Sequence, residues 1–241
     1  MRLKRNGVDY LFANAGTDFA PIIEGLAAQS GNTATMPAPL AIPHETAAIA
    51  MAHGYYLVTG RPQAAMVHVN VGLANSIMGL INAASDQIPL FMMAGRTPVT
   101  EFDRLGSRMT PIQYGQEMRD QNAMVREFTK WDYELRYPEQ VTTLVDRGLA
   151  IAMTEPRGPV FLGLPREPLA EDWPEGVPHD IAPQSVPTRS QPDPEAVATA
   201  ATMLAAARHP LIIAQRGDPQ GLLGPAMANL SEIGAIVVVE N

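Results

Sequence analysis

Short runs of almost uninterrupted apolar residues, each followed by a stretch long enough for a helix, restrict the fold of this chain more than any other feature. The clearest runs are residues 64–69, 90–94 and 159–164. A strand with one face in water alternates apolar and polar side chains, whereas a strand buried on both faces does not. Continuous apolar strands separated by helices are typical of a parallel sheet with helices packed on both sides. The sequence therefore predicts an α/β fold.

The spacing of apolar residues, together with the positions of glycine and proline, predicts the individual elements. The predicted strands are residues 8–13, 64–69, 90–94 and 159–164, and the predicted helices are residues 19–29, 45–59, 74–85 and 138–154. Two turns are predicted at residues 14–18 and 70–73, and residues 33–42 form an extended segment broken by prolines.

A change of composition separates two parts of the chain. Residues 167–193 are rich in proline and acidic residues and show no periodicity, which is typical of a linker, so the first domain is placed at residues 1–166. The α/β pattern restarts at residues 194–241, which predict an incomplete Rossmann-like α/β domain. Its predicted elements are a helix at 194–208, a strand at 211–214, a helix at 220–233 and a strand at 235–240. The glycine-rich residues 217–224 depart from the G-x-G-x-x-G spacing of dinucleotide-binding turns and indicate a nucleotide only weakly.

Composition excludes several classes of function. The net charge is −8 and the basic residues are scattered, whereas a nucleic-acid partner requires a basic face. No stretch approaches the roughly 20 apolar residues that span a bilayer, so no membrane partner is expected. The chain has no cysteine, which excludes a disulfide framework and a thiolate metal site. This composition suits the cytoplasm.

Glu45 lies where the extended segment ends and the second predicted helix begins. A carboxylate at the start of a helix is stabilised by the helix macrodipole, and by position alone this structural role is the more common one. However, Pro43 holds the approach to the helix extended, and the alanines at 47, 48 and 50 leave the helix face small. A largely buried carboxylate is therefore expected, which would suit the relay of a proton.

The histidines do not form a metal site in the sequence. His44 and Glu45 open a possible H-E-x-x-H zinc helix, but position 48 is alanine. His53 and His68 lie within apolar runs and show no metal-ligand spacing, so both are predicted to be hydrogen-bonded core histidines.

The predicted turn after the strand at 64–69 is a second candidate for ligand binding. Ligands of open α/β sheets bind beyond the carboxyl ends of the strands, where this turn lies. Gly72 would allow the backbone to approach a ligand closely, and Asn75 could cap the helix or donate a hydrogen bond. Many strand–helix turns share these features, so alone the indication is weak.

Four segments, taken in order, resemble the acetolactate synthase family of thiamine-diphosphate enzymes. The region around the family's activating glutamate is similar to IPHETAAIAMAHGYYLVTGRP, and its glycine turn, Ala-rich helix and buried strand are similar to VNVGLANSIMGLINAASDQIPLFMMAG. Its Gln-Glu loop resembles GQEMRDQNAMVREFTKW, and the end of its pyrimidine-binding domain resembles GPVFLGLPRE. The resemblance covers nearly the whole chain and implies a parallel-sheet thiamine-diphosphate-binding fold at residues 1–166.

The resemblance also implies roles for individual residues. Glu45 matches the glutamate that hydrogen bonds to N1′ of the cofactor's aminopyrimidine and so promotes loss of the thiazolium C2 proton. The cofactor then serves as an electron sink for the decarboxylation of a 2-oxo acid. The residues that match positions beside the cofactor are Gly16, Gly72 and Asn75. Gln116 matches a glutamine that reaches the neighbouring active site, and His44 matches a family histidine that supports the glutamate or contacts substrate.

Two departures from the family pattern leave the reaction open. The first turn keeps only the last glycine of Phe-Gly-x-Pro-Gly, at Gly16, and Asn70-Val71 stands where acetolactate synthases tend to have Gly-Pro. Acetolactate synthesis, benzaldehyde lyase-like cleavage, decarboxylation and other carboligations of 2-oxo acids therefore stay open.

The family's diphosphate domain, with its Gly-Asp-Gly…Asn run of Mg²⁺ ligands, has no counterpart in the sequence. The resemblance therefore implies a fragment, or one subunit of a split enzyme that supplies Glu45 to a partner carrying the diphosphate domain, inactive on its own. It also implies a homodimer or homotetramer, Mg²⁺ ligands outside the chain, and the option of FAD or ADP in the middle domain. From the residues alone, a non-catalytic nucleotide-binding module with a structural Glu45 remains the alternative.

Overall fold

The computed structural model describes residues 1–14, 16–29, 32, 34–188, 190–215, 221–232 and 234–240. The chain divides into two compact units, Met1–Pro187 and Thr188–Asn241. The predicted linker at 167–193 overlaps the end of the first unit, because a short helix at Arg166–Ala170 buries Glu167 and Pro168.

The first unit alternates strands and helices. In chain order its elements are α1 (Arg2–Arg5), β1 (Tyr10–Asn14), α2 (Ala20–Ala28), β2 (Ala38–Ala41), α3 (Glu45–Thr59), β3 (Gln63–Val67), α4 (Val69–Ser85), β4 (Leu90–Arg96), α5 (Ile112–Gly115), β5 (Asp132–Glu134), α6 (Val141–Met153), β6 (Val160–Pro165) and α7 (Arg166–Ala170). Single 3-10 turns lie at Thr17–Phe19, Asn122–Met124, Arg126–Phe128 and Pro138–Gln140.

All strands of the first unit form one parallel sheet in the order β2-β1-β3-β4-β6-β5. The central strands β3, β4 and β6 are buried along their length, apart from the partly exposed Arg96 at the end of β4. The predicted α/β fold with a parallel sheet is therefore confirmed, and continuous apolar runs did mark the strands that are covered on both faces.

The two faces of the sheet carry separate hydrophobic clusters. Alternate residues of one strand point to opposite faces. Ala64 and Met66 of β3 belong to the cluster that includes apolar residues of α2 and α6. Ala65 and Val67 belong to the cluster that includes Ile49 of α3 and apolar residues of α4. Helices α3 and α4 therefore cover one face of the sheet, and α2 and α6 cover the other.

Helix α3 begins and ends at the predicted residues because both of its ends are capped. The His44 Nδ1 atom accepts a hydrogen bond from the Thr46 N–H at 3.2 Å, and Gly60 adopts a left-handed φ of 68° at the other end. The two caps leave little freedom in where the helix starts and stops.

The prediction of a turn at residues 70–73 is wrong. Helix α4 begins at Val69, directly after β3, and the Gly72 N–H donates a 2.7 Å hydrogen bond to the His68 carbonyl oxygen. The glycine lies inside the first helical turn, where it serves close packing rather than a change of chain direction. The extended segment at 33–42 also contains a strand, β2, which holds Pro39 because β2 is at the edge of the sheet.

The second unit contains α8 (Pro194–Ala206), β7 (Leu211–Gln215), α9 (Leu223–Glu232) and β8 (Ile236–Glu240). Strands β7 and β8 pair in parallel, as a βαβ arrangement requires. Residues 216–220, which include half of the predicted glycine-rich turn at 217–224, lie outside the described residues. Within the ranges described for both units, no helix is long and apolar enough to cross a bilayer.

Candidate functional site

Four neighbouring strands bring the candidate residues to one edge of the sheet. Glu45 follows β2, Asp18 follows β1, His68 follows β3 and Gln116 follows β4, and these strands are adjacent in the order β2-β1-β3-β4. The carboxyl ends of parallel strands lie at the same edge, which is where ligands of open α/β sheets bind.

Glu45 is the first residue of α3 and is buried, with 8% of its surface exposed. Its Oε2 atom accepts a hydrogen bond from Asn75 Nδ2 of α4 at 3.1 Å. The Thr46 hydroxyl donates a second bond, at 3.0 Å, to the Asn75 carbonyl oxygen. Asn75 thus holds the start of α3 against α4 through both its side chain and its backbone, and fixes the direction of the carboxylate.

Two glycines let α3 and α4 approach closely. A Cβ atom on Gly72 would lie 3.1 Å from Glu45 Oε1, and one on Gly79 would lie 2.7 Å from a methyl carbon of the buried Ile49. The Oε1 atom of Glu45 therefore faces Gly72, which has no side chain. Glu45, Gly72 and Asn75, predicted separately from the sequence, lie together.

His68 is the centre of a second group of polar side chains. Its Nδ1 atom lies 2.7 Å from Asp18 Oδ1, and its Nε2 atom lies 3.3 Å from the Gln116 side-chain nitrogen. Gln116, predicted to reach a neighbouring active site, contacts His68 of its own chain. Asp18 is 5% exposed, while His68 is 27% exposed at its side chain, so the imidazole is the accessible member of the pair.

The backbone around His68 is shaped to hold this group. A Cβ atom on Gly16 would lie 2.2 Å from His68 Nδ1, and one on Gly95 would lie 1.7 Å from Asp18 Oδ2. Val69, next to the histidine, has φ 33°, a strained conformation for a β-branched residue, and its N–H donates to Asp18 Oδ2 at 3.2 Å. Gly16 therefore makes room for His68, a role that the sequence did not reveal.

The pKa of His68 is raised above its ordinary value. The hydrogen bond to Asp18 is the largest cause, partial burial opposes it, and the charges of Asp18 and Glu45 add to the increase. Negative charges close to an imidazole stabilise its protonated form. His68 therefore stays protonated to a higher pH than an ordinary histidine does, and it can act as a proton donor there.

The remaining histidines have other surroundings. His44 is exposed and caps α3 through its ring nitrogen, so the structure gives it a contact with the helix backbone. His53 pairs with Asp86 at 3.1 Å and lies on the outer side of α3 and α4. Sequence reasoning treated His68 as a core residue and did not single out Asp18. The position of His68 at the carboxyl end of a buried strand was the signal that could have identified it.

The raised pKa of His68 predicts a pH-dependent stability. A histidine whose folded-state pKa exceeds its unfolded value of about 6.5 stabilises the fold fully below that pH, and the stabilisation is lost as the pH rises through the folded-state pKa. We expect the urea midpoint of the wild-type protein to fall over this range, and the midpoint of His68→Gln to fall less. Unfolding curves across about pH 5.5 to 8.5 measure the difference. Identical pH dependence in the two proteins would contradict the prediction, and His209→Gln, at an exposed position in the second unit, is the control.

The residues present fit the cofactor that the resemblance implies. An aminopyrimidine needs a carboxylate beside a ring nitrogen, and Glu45 offers Oε1 next to the bare Cα of Gly72. Asn75 already satisfies the other oxygen, Oε2. An apolar cavity of about 620 Å³ elsewhere in the unit, between α2 and β2, is lined by none of these residues.

Comparisons with known proteins identify the family of the chain. The family model for "Thiamine pyrophosphate enzyme, N-terminal TPP binding domain" matches residues 1–124. The probable 2-ketoarginine decarboxylase AruI of Pseudomonas aeruginosa is 32% identical over 237 residues, which are 96% of this chain and 39% of that protein. Benzoylformate decarboxylase of the same organism is 26% identical over 211 residues, 88% of this chain and 37% of its own length.

A synthase and a solved structure extend the same relationship. The acetolactate synthase catalytic subunit of Aspergillus candidus is 25% identical across 97% of this chain and 33% of its own length. The X-ray structure of a thiamin diphosphate-dependent enzyme from Mycobacterium smegmatis superposes with a TM-score of 0.81 at 26% identity, covering 99% of this chain and 43% of that one. The chain thus spans about two fifths or less of these curated relatives. It belongs to the thiamine pyrophosphate enzyme family, and its first 124 residues match that family's N-terminal TPP-binding domain.

Proposed function

We propose that this chain forms the pyrimidine-binding part of a thiamine-diphosphate-dependent lyase or carboligase that acts on 2-oxo acids. The observation that carries the proposal is the buried Glu45 carboxylate. Asn75 holds its Oε2 atom, while Oε1 makes no hydrogen bond with any part of the chain that the structure describes. Oε1 is thus available to accept a hydrogen bond from a ligand beside the bare Cα of Gly72.

Glu45 would hold a proton at one defined atom of the cofactor. When bound, thiamine diphosphate supplies an electron sink for breaking the bond between the carbonyl carbon and the carboxylate of a 2-oxo acid. Glu45 Oε1 would share the proton of the pyrimidine ring nitrogen N1′, through a charge-assisted hydrogen bond that the low local dielectric strengthens. Asn75 keeps the carboxylate from rotating away.

His68 would move a proton at the reacting end of the site. Asp18 occupies its Nδ1 atom, so Nε2 is the atom left to face a ligand, beside the Gln116 amide. In its protonated form His68 can donate the Nε2 proton to an oxygen of the 2-oxo acid and recover it when the product leaves. Gln116 would hydrogen bond to the same substrate oxygen or to His68.

The groups that hold Mg²⁺ and the diphosphate would lie outside these 241 residues, on the same polypeptide or on another. The chain spans about two fifths or less of the relatives described above. The part of those relatives that it does not match is long enough to contain such groups. We propose a homodimer or homotetramer, or a partner that carries the diphosphate domain. The exposed apolar side chains of Met51, Val58 and Met78 on α3 and α4 offer a surface for such a contact. FAD or ADP in the second unit is an option that this arrangement permits.

Decarboxylation is the reaction to test first, because two of the similar proteins carry decarboxylase names. We expect the protein, supplied with thiamine diphosphate, Mg²⁺ and the diphosphate domain, to release CO₂ from at least one of benzoylformate, 2-ketoarginine and pyruvate. Product analysis then separates a decarboxylase, which yields an aldehyde, from a carboligase, which yields a 2-hydroxyketone. Absence of both cofactor binding and CO₂ release, with a diphosphate-domain partner present as well as without it, would contradict the proposal.

A further inference from the structure

We propose that Asp18 is a positioning residue that fixes the proton of neutral His68 on Nδ1 and reserves Nε2 for proton exchange with the substrate. This inference rests on the proposed function, in which His68 donates a proton to the 2-oxo acid. It assigns a role to a carboxylate that neither the sequence motifs nor the activation of the cofactor by Glu45 requires.

The two contacts of the imidazole ring fit the same tautomer, and the contact with Asp18 requires it. The Asp18 carboxylate can only accept, so the nitrogen 2.7 Å from it, Nδ1, must carry a hydrogen. The Gln116 amide nitrogen lies 3.3 Å from Nε2 and can donate to it when Nε2 is bare, and the amide oxygen can accept from Nε2–H when the ring is protonated. Asp18 therefore selects the tautomer with the proton on Nδ1, and Gln116 is compatible with it.

The second oxygen of Asp18 is committed to the backbone. Asp18 Oδ2 accepts from the Val69 N–H, at the strained residue that follows His68. One carboxylate therefore orients both the ring of His68 and the backbone that carries it. The glycines at 16 and 95 leave the space in which ring and carboxylate meet.

The charges that face His68 act in the same direction. They are Asp18 from the 3-10 turn after β1 and Glu45 from the start of α3, while Gln116 is neutral. Both carboxylates raise the pKa of His68, with the hydrogen bond to Asp18 as the largest cause. Asp18 thus keeps the imidazolium available as a donor and determines which nitrogen loses the proton: Nε2–H passes to the substrate oxygen, and Nδ1–H stays with Asp18.

Asp18→Asn makes the proposal testable because the change preserves shape and reverses one hydrogen bond. The Val69 N–H is an obligatory donor, so the single amide oxygen of asparagine must face it. The amide NH₂ then faces His68 Nδ1, which has to become the acceptor. The variant is therefore expected to move the proton of neutral His68 to Nε2, and also to lower its pKa because a negative charge is lost.

The tautomer can be read directly by two-bond ¹H–¹⁵N correlation spectra of the protein labelled with ¹⁵N-histidine. We expect neutral His68 to carry its proton on Nδ1 in the wild type and on Nε2 in Asp18→Asn. Asp86→Asn is the matched control, since it makes the same change at the His53–Asp86 pair and should leave the His68 signals unchanged. A wild-type His68 with its proton on Nε2 would overturn the proposal, whether or not the variant folds.

Kinetics separate positioning from a structural role. We expect kcat of Asp18→Asn to fall by about 10²-fold, with the alkaline limb of its pH profile displaced to lower pH, while the Kd for thiamine diphosphate stays unchanged because Glu45 and Asn75 are intact. If Asp18→Asn lowers the stability but leaves the tautomer and the pKa of His68 unchanged, Asp18 only caps the start of α4, and the inference is overturned. If the wild type binds no thiamine diphosphate and releases no CO₂, the proposed function fails, and the NMR result still decides how Asp18 acts on His68.

Discussion

Replacing Glu45 by glutamine is expected to slow exchange of the C2 proton of bound thiamine diphosphate with D₂O by about 10²- to 10⁴-fold, the range that positioned acid–base groups contribute. Glutamine keeps the shape of the side chain and a hydrogen bond to Asn75, but it carries no negative charge. The hydrogen bond to the pyrimidine nitrogen then loses its charge-assisted character, and protonation of that nitrogen is no longer favoured.

The exchange should be followed in the protein that also holds the diphosphate of the cofactor, by quenching in acid and counting the remaining C2 protons by NMR. Glu24→Gln is the matched control, because Glu24 is an exposed carboxylate on α2. Its exchange rate should equal that of the wild type. An unchanged rate in Glu45→Gln, with cofactor demonstrably bound, would remove Glu45 from the mechanism.

The largest loss of stability is expected from Phe161→Ala. Phe161 is the second residue of β6, is fully buried, and packs in the same cluster as the apolar residues of α3 and α4. Truncating a buried phenylalanine removes its transfer free energy and leaves a cavity, which together cost about 3–5 kcal/mol. Total stabilities are only about 5–15 kcal/mol, so the first unit of this variant should be close to unfolding at room temperature.

Fluorescence in urea gives a selective measurement, because both tryptophans, Trp131 and Trp173, lie in the first unit. Phe102→Ala, which truncates the same side chain at an 80% exposed position, should change the free energy of unfolding by no more than about 0.5 kcal/mol. A loss below about 1.5 kcal/mol in Phe161→Ala would mean that the core around β6 can collapse into the cavity.

The elements that the sequence predicted well are those whose limits are local. Helix α3 is the clearest example, since His44 and Gly60 cap it within the segment itself. The start of α4 was misplaced because a glycine in a strand–helix connection usually indicates a turn. At Gly72 the missing side chain instead serves the contact with Glu45, which lies on another helix. Strand β5, Asp132–Glu134, was not predicted, because a three-residue edge strand carries too little pattern.

The candidate site shows the same difference between features that are local in the sequence and contacts that are not. Glu45 could be singled out because its surroundings, a proline-held approach and small helix residues, are contiguous in the chain. Gln116 was singled out only by the resemblance, and the group that it forms with His68 and Asp18 could not be predicted, because 50 residues separate Asp18 from His68 and 48 separate His68 from Gln116. A histidine within an apolar run has the same sequence pattern whether it is packed in a core or open to a ligand. Gly16 was singled out by its resemblance to a cofactor turn, while its contact in the structure is with His68.

The sequence by itself determined that the chain forms a parallel α/β sheet with a carboxylate at the start of α3, because uninterrupted apolar runs and helix caps are properties of neighbouring residues. Only the tertiary structure decided that this carboxylate lies beside Asn75 and Gly72, and that Asp18, His68 and Gln116 form one hydrogen-bonded group. The reason is the strand order β2-β1-β3-β4, which places the ends of four separate segments side by side. Strand order depends on long-range packing, and that packing turns a helix-start glutamate into part of a shared site.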